Sequence, residues 1–218
     1  MMVTAPAKLN LTLRIHGKRE DGFHELETLM VLLPGLTDVL DFKPAESYVL
    51  ETGGAEVGPL EDNLVTKALR LFEQRTGIPC HYQITLEKHI PTGAGLGGGS
   101  SDAAAVLRTL NKLKETGLTK GELEEMAGQL GSDVPFFLRE GACWCRGRGE
   151  ILEDTTVDEL EVILLKPAFG VDTADAYHRW ADTEELPYVR YEAQEVAALG
   201  MRNDLERSGF AKFPFLAE

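Results

Sequence analysis

Pro91-Thr92-Gly93-Ala94-Gly95-Leu96-Gly97-Gly98-Gly99-Ser100-Ser101-Asp102-Ala103-Ala104-Ala105 holds five glycines in the seven positions from Gly93 to Gly99 and runs straight into an alanine-rich helical sequence. Glycine lets backbone N–H groups turn toward one point, and a helix that follows adds unpaired N–H groups and the positive end of its dipole. Together they predict an anion cradle suited to a phosphate. Ser100, Ser101 and Asp102 are candidate caps of that helix, and the two hydroxyls can reach a bound phosphate. The plainer alternative is a flexible loop with a conventional cap, but a solvated loop has no need of so many glycines in front of a helix.

Three familiar phosphate sites do not fit. Gly93, Gly95 and Gly98 spell G-x-G-x-x-G, yet the dinucleotide fold feeds a strand directly into the first glycine, and here Glu87 to Thr92 intervene. The acid about 20 residues on should end a second strand. Glu115 instead closes a helical stretch that starts near Ser101. No Gly-Lys-Ser or Gly-Lys-Thr follows the loop, which excludes a P-loop, and no H-R-D or D-F-G occurs, which excludes a protein kinase.

Outward from this segment, Leu9, Leu11, Leu13 and Ile15 alternate with Lys8, Asn10, Thr12 and Arg14, the period of a half-buried strand, which puts Lys8 and Asn10 on one face. Val39 to Phe42, Tyr48 to Leu50, Tyr82 to Leu86, Gly141 to Arg146 and Glu161 to Leu165 also read as strands. Helices are expected over Asp62 to Gln74, Ser101 to Lys114 and Thr119 to Leu130, the last opened by a Thr119/Glu122 capping box and closed by Gly131. Thr173 to Trp180 also looks helical. The mixture is α+β or α/β, with no internal repeat. A change of composition after Pro167-Ala168-Phe169-Gly170 suggests a domain boundary, placed between residues 155 and 156.

Lys and Arg total 22 against 36 Asp and Glu, a formal charge of −14, and no basic run exceeds Lys18-Arg19. That balance argues against nucleic acid or an anionic membrane as partner. Any bound anion must be held by local backbone geometry. Cys80, Cys143 and Cys145 make neither a disulfide framework nor a zinc site; Cys143 and Cys145 alternate around Trp144 as core packing, and a reducing cytoplasm is expected. The longest strongly apolar run, Leu29 to Leu33, falls far short of the roughly 20 residues of a membrane helix. His16, His81, His89 and His178 share no metal-ligand spacing.

The segment Pro91 to Ser101 resembles the phosphate-binding motif of the GHMP kinases. Ala5-Pro6-Ala7-Lys8-Leu9-Asn10-Leu11, Asp21-Gly22-Phe23-His24-Glu25-Leu26, Gly131-Ser132-Asp133-Val134-Pro135-Phe136-Phe137, and Lys166-Pro167 with Gly170-Val171 and Thr173-Ala174 resemble, in order and spacing, the branch of that family acting on a cytidine-diphosphate-linked methylerythritol in the non-mevalonate isoprenoid route. Asn203-Asp204-Leu205-Glu206 is similar to a later segment of the same branch.

The resemblance implies a two-domain GHMP kinase fold: a ribosomal protein S5 domain 2-like N-terminal domain over 1–155 that binds ATP, and a partial ferredoxin-like C-terminal domain over 156–218. Family members usually continue past this length and carry a second glycine-rich motif, which is absent from these 218 residues. The implied reaction is ATP-dependent phosphorylation of the substrate's 2-hydroxyl, with Mg²⁺ only as the companion of ATP.

By the same resemblance, Asp133 is the catalytic base and Lys8 the cation that fixes it and offsets developing negative charge. Pro91, Thr92, Gly93, Ala94, Gly95, Leu96, Gly97, Gly98, Gly99, Ser100 and Ser101 hold the ATP phosphates. His24 reads cytosine, Phe23 and Tyr177 stack on the base, and Asn10 touches substrate. Phe23 stands where the family usually has Tyr, a change that preserves stacking. Each residue also has an ordinary reading: a helix cap for Asp133, a solvated strand lysine for Lys8, a bystander loop histidine for His24, core for Phe23 and Tyr177. Asp62 and Asn63 resemble the region near adenine and equally read as caps. Two other functions compete, a homoserine- or mevalonate-type GHMP kinase and a silent nucleotide-binding module; the Gly22-Phe23-His24 turn argues against the first and the presence of Lys8 with Asp133 against the second.

Overall fold

A computed structural model describes residues 1–55, 57–196 and 199–217. The chain divides into two compact units, one made of Met1–Lys8, Leu32–Thr92 and Leu96–Glu140, the other of Leu9–Val31, Gly93–Gly95 and Gly141–Glu218. Two long strands, β1 (Met2–Lys18) and β2 (His24–Pro44), pair with each other and contribute residues to both units. The units are therefore interleaved in sequence, and a single cut at 155/156 describes a sequence module rather than either compact body.

In the first unit, β3 (Val49–Gly54) runs parallel to β4 (Tyr82–Lys88), and β4 pairs antiparallel with the far half of β2, Val39↔Glu87 through Pro44↔Tyr82. A parallel pair needs a crossover. Here α1 (Leu64–Thr76) supplies it. Asn63 caps α1 by accepting from the Val65 N–H at 2.9 Å, so its capping role is realised, and Gly77 ends the helix in the left-handed region. Helix α3 (Lys120–Leu130) opens on the expected capping box of Thr119 and Glu122. Leu40, Phe42, Leu69, Phe72, Ile84, Leu86, Leu107, Leu110 and Phe136 are buried in this unit's core, each contributing about 1.5–3 kcal/mol relative to exposure.

Helix α2 (Gly98–Leu113) begins three residues earlier than the alanine run suggested, inside the glycine segment. Ser101 through Leu107 are all buried, so this stretch of the helix is enclosed on every side. Alanine at 103, 104 and 105 lets neighbouring elements come close without large side chains between them.

In the second unit, the near half of β2 pairs antiparallel with β5 (Ala142–Gly147), Leu26↔Gly147 through Val31↔Ala142, and β5 pairs with β6 (Ile151–Thr155). Leu11, Leu29 and Ala142 form a core cluster flanked by Trp144, Val157 and Leu160. Cys143 and Cys145 are buried thiols, Cys143 donating to the Asp154 carboxylate and Cys145 to the Cys143 carbonyl, as expected for packing residues. Helices α4 (Thr173–Trp180) and α5 (Leu205–Lys212) and the short ladder of β7 (Gln194–Val196) with β8 (Leu199–Met201) complete this unit. Asn203 bridges Leu13 of β1, and the Asp204 carboxylate accepts the Ile15 N–H at 2.8 Å.

One strand expectation needs correction, and one strand lies where none was expected. Glu161 to Leu165 is not a strand: no described strand pairs with it, and Ile163 and Leu165 stand 89% and 91% exposed. Backbone hydrogen bonds make a strand, and an apolar run without a neighbouring ladder has none to make. The near half of β2, by contrast, was not read as a strand at all; its residues 26–31 are ordered by pairing with β5, a long-range partner that local pattern does not show. Among the described residues no helix is long and apolar enough to cross a membrane.

Candidate active site

In the first unit the glycine segment enters α2 by adopting positive φ at Gly97 (+70°); Gly93 and Gly95, which belong to the second unit, have positive φ as well. A side chain at Gly97 would be strained by that φ and would also meet Phe137 at 2.7 Å and Lys8 at 3.0 Å. Gly97 is the N-cap of α2 and, having no side chain, makes no side-chain capping bond. Ser100, Ser101 and Asp102, the expected caps, lie inside the helix instead, which leaves the first turn without a side-chain cap. An uncapped helix start, with its N–H groups and dipole, is suited to an anion. The Ser101 hydroxyl, on a residue 2% exposed, has no hydrogen-bond partner among the described residues.

Lys8 reaches the same place from β1. Its backbone N–H donates to the Leu96 carbonyl at 2.9 Å, tying the strand to the glycine segment. Its ammonium is 3.3 Å from the Asp133 carboxylate. The solvated reading of Lys8 therefore fails, since the residue is 6% exposed and ion-paired. The capping reading of Asp133 fails as well: the 3₁₀ turn Pro135–Leu138 has Val134 at its N-cap and no side-chain capping bond. A half-exposed carboxylate fixed by a buried cation can accept a proton from an incoming hydroxyl while the cation offsets negative charge.

Beneath α2 lies a cluster the sequence reading missed. Lys88, the last residue of β4, pairs with Asp38 of β2 and with Asp102, just past the first turn of α2, all three nearly fully buried. Burial pushes the Asp102 carboxyl up to about 7; Lys88 opposes that shift and Asp38 adds to it. Only the apolar spacing around Lys88 hinted at burial, and no local signal named its partners.

In the second unit the His24 ring stacks on Tyr177 of α4 at 5.5 Å and 26°, and meets Trp180 edge-on at 5.9 Å. Trp180 was not singled out from sequence, although its position three residues after Tyr177 puts both on one helical face. Burial lowers the His24 pKa, reinforced by Lys18 and His178, so the ring is held toward its neutral form. Phe23 does not join that stack. It is 51% exposed, and the Arg148 guanidinium lies 4.7 Å over its ring. Asn10 donates through Nδ2 to the Thr28 hydroxyl at 2.7 Å, and that hydroxyl donates in turn to the Thr12 carbonyl, which pins the amide. The structure thus gathers Lys8, Asp133 and the head of α2 in one unit, and His24 with Tyr177 in the other.

Residues 63–141 match the family of GHMP kinases, N terminal domain. A 4-diphosphocytidyl-2-C-methyl-D-erythritol kinase of Pelotomaculum thermopropionicum is 41% identical over 233 residues, covering 100% of this chain and 80% of its own length. The chain belongs to the 4-diphosphocytidyl-2-C-methyl-D-erythritol kinase family. A chloroplastic member of the same kinase family from Mentha piperita is 39% identical over 97% of the chain, and the chain spans 55% of that protein's length. A crystal structure of 4-(cytidine 5'-diphospho)-2C-methyl-D-erythritol kinase superposes with a TM-score of 0.69 at 35% identity, covering 99% of this chain and 80% of that one. The fold is that of the GHMP kinases, with mixed α and β content, as the motifs implied.

Proposed function

We propose that the chain transfers the γ-phosphoryl group of ATP to the 2-hydroxyl of 4-diphosphocytidyl-2-C-methyl-D-erythritol, giving the 2-phosphate and ADP in the non-mevalonate isoprenoid pathway. The observation that carries this reading is the Lys8–Asp133 pair, 3.3 Å apart and joined through the Lys8 backbone to the uncapped head of α2. Phosphoryl transfer asks a protein mainly to align groups and offset charge. Backbone N–H groups of the segment Pro91 to Ser101 hold the ATP phosphates, and the orphaned Ser101 hydroxyl supplies a further donor. The substrate hydroxyl attacks the γ-phosphorus as the bond to the β–γ bridging oxygen breaks; the hydroxyl proton passes to Asp133, and Lys8 offsets the charge that develops.

Substrate choice is assigned to the second unit. His24, held neutral, offers one donor and one acceptor to the edge of cytosine. Tyr177 backs the His24 ring and, with Phe23, supplies aromatic surface for the base, while the pinned Asn10 amide contacts the substrate. Mg²⁺ would accompany ATP and would supply positive charge to its phosphates; among the described residues no group of three His, Cys, Asp or Glu side chains could hold a metal by itself. Residues 1–155 serve as the nucleotide-binding module and 156–218 as part of a C-terminal domain. Reduced cysteines and an acidic sequence with no basic run longer than Lys18-Arg19 support a cytoplasmic small-molecule enzyme with no nucleic-acid or membrane partner.

The test is ADP release from ATP and Mg²⁺ with the cytidine-linked alcohol, homoserine or mevalonate as acceptor. Turnover with the cytidine-linked alcohol alone is expected. Faster turnover of homoserine or mevalonate would assign the chain to a different GHMP chemistry, and none with any acceptor would leave a nucleotide-binding module.

A further inference from the structure

Two buried carboxylates share one buried ammonium beneath the glycine segment. Lys88 is 5% exposed, Asp38 0% and Asp102 2%. Lys88 Nζ donates to Asp38 and, at 2.8 Å, to Asp102 Oδ2. Asp38 is held further by the backbone N–H groups of His89 at 2.6 Å and Ile90 at 2.8 Å, the residues that lead into the loop. The ammonium also lies against the start of α2, since a Cβ built on Gly98 would come within 3.0 Å of Lys88 Nζ. One lysine thus joins β2, β4 and the N-terminal part of α2 at Asp102, next to its first turn.

Such a cluster is a poor device for stability alone. Desolvating charged groups costs several kcal/mol each, and apolar replacements of similar volume are often as stable. The excess carboxylate makes matters worse, and Asp102 Oδ1 has no hydrogen-bond partner among the described residues. What the cluster supplies is direction. From Gly98 to Ala105 the helix carries only Gly, Ser, Asp and Ala side chains, none large enough to interlock with a neighbour and fix rotation about the helix axis. Asp102 is the one side chain in that stretch that can take hold of the sheet.

We propose that Asp38, Lys88 and Asp102 are positioning residues: a buried ion lock that fixes the rotation and axial position of the first turn of α2, and so aims its open backbone N–H groups at the nucleotide phosphates. This rests on the proposed ATP site, and acts through the backbone. The groups facing Asp102 from the elements around it are Lys88 of β4 and Asp38 of β2. Loss of the tether should loosen phosphate binding while leaving the alcohol site and the chemistry at Asp133 in place.

The experiment compares wild type with Asp102→Asn, which keeps the shape and a carbonyl for Lys88, and Asp102→Leu, which keeps the volume and removes the tether. ADP affinity is read by calorimetry, KM for ATP and for the alcohol by turnover, and amide exchange over residues 98–101 by mass spectrometry. The expected order is wild type, then Asn, then Leu: ADP affinity and ATP KM worsen about two- to fivefold for Asn and tenfold or more for Leu, exchange quickens in the same order, and alcohol KM and kcat at saturating ATP stay within about twofold. Unchanged ADP affinity and exchange in Asp102→Asn and Asp102→Leu would overturn the lock, as would ATP and alcohol KM rising together. Should Asp102→Leu not fold, the same readings on the near-isosteric Asp102→Asn decide. Calorimetry needs no turnover, so the lock is judged even if the wild-type chain turns over no acceptor, a result that would overturn the proposed reaction instead.

Discussion

The Lys8 ammonium stands 3.3 Å from the Asp133 carboxylate, with 7% of the lysine side chain exposed against 34% of the aspartate. That asymmetry separates two tasks. The cation is fixed and shielded, where its field is least screened, while the carboxylate keeps an open side for a reacting hydroxyl.

Replacing Asp133 with Asn should therefore lower turnover by about 10²-fold or more, because the amide cannot take the hydroxyl proton. ADP affinity, set by the backbone around α2, should change little. Lys8→Met should also lose turnover. A freely active Asp133→Asn protein would remove the base assignment.

Gly97 and Gly99 should respond differently to alanine. At Gly97 the left-handed φ costs an alanine about 1–2 kcal/mol, and its Cβ would meet Phe137 at 2.7 Å. Gly99 has an ordinary φ, and only Leu64 lies near its Cβ, at 3.6 Å. Thermal unfolding should show Gly97→Ala clearly destabilised and poor at binding ADP, with Gly99→Ala near wild type in stability. Equal melting of the two variants would mean that the turn at Gly97 is not strained as described.

His24→Ala should weaken binding of the cytidine-linked alcohol by about 1–3 kcal/mol, the cost of leaving polar groups of the base unpaired, and leave ATP affinity alone. Burial, with Lys18 and His178, depresses its pKa below the ordinary 6.5. The neutral ring therefore persists to lower pH than in a free histidine: KM for the alcohol should stay flat through 6.5 and rise only below it, and His24→Gln should lack that acidic limb. Equal use of a uridine analogue by the wild type would contradict the cytosine assignment.

Asp102 makes stability depend on pH in the sense opposite to most carboxylates. Its folded pKa of about 7 lies above the unfolded value, so between about pH 4 and 7 the folded state holds a proton that the unfolded state releases. The stabilisation from that proton is present below the unfolded value and lost as pH rises through about 7. Denaturant melts of Asp102→Asn should show a flatter profile over that window than wild type. A profile identical to wild type would place the titration elsewhere.

Local pattern carried much of the fold: the Thr119/Glu122 capping box, the alanine-rich helix and the strand at Tyr82 lie where the residues themselves dictate them. What was not legible depends on pairing across the chain. Residues 26–31 become a strand because β5 lies beside them, and Asp102 becomes a tether because Lys88 and Asp38, 14 and 50 residues apart from their partners, meet it in the interior. In the candidate site, the glycine segment was nameable from its own residues, whereas Lys8 and Asp133 were nameable only through the resemblance to the GHMP kinases, since by themselves they read as a solvated strand lysine and a helix cap. Trp180 went unnamed because an aromatic on an amphipathic helix looks like packing until its neighbour is known to be His24.

The stretch Val162 to Leu165 offers two nearly bare aliphatic side chains, Ile163 and Leu165, in a segment that no described strand covers. Such a segment is sticky: it has the β-propensity and low charge of aggregation-prone sequences. Glu161 and Lys166 bracket it with charge, and Pro167 follows at once, the pattern by which natural chains guard a hazard they do not remove. Solubility during preparation of this polypeptide should accordingly hinge on those three flanking residues, and ionic strength high enough to screen them should favour precipitation.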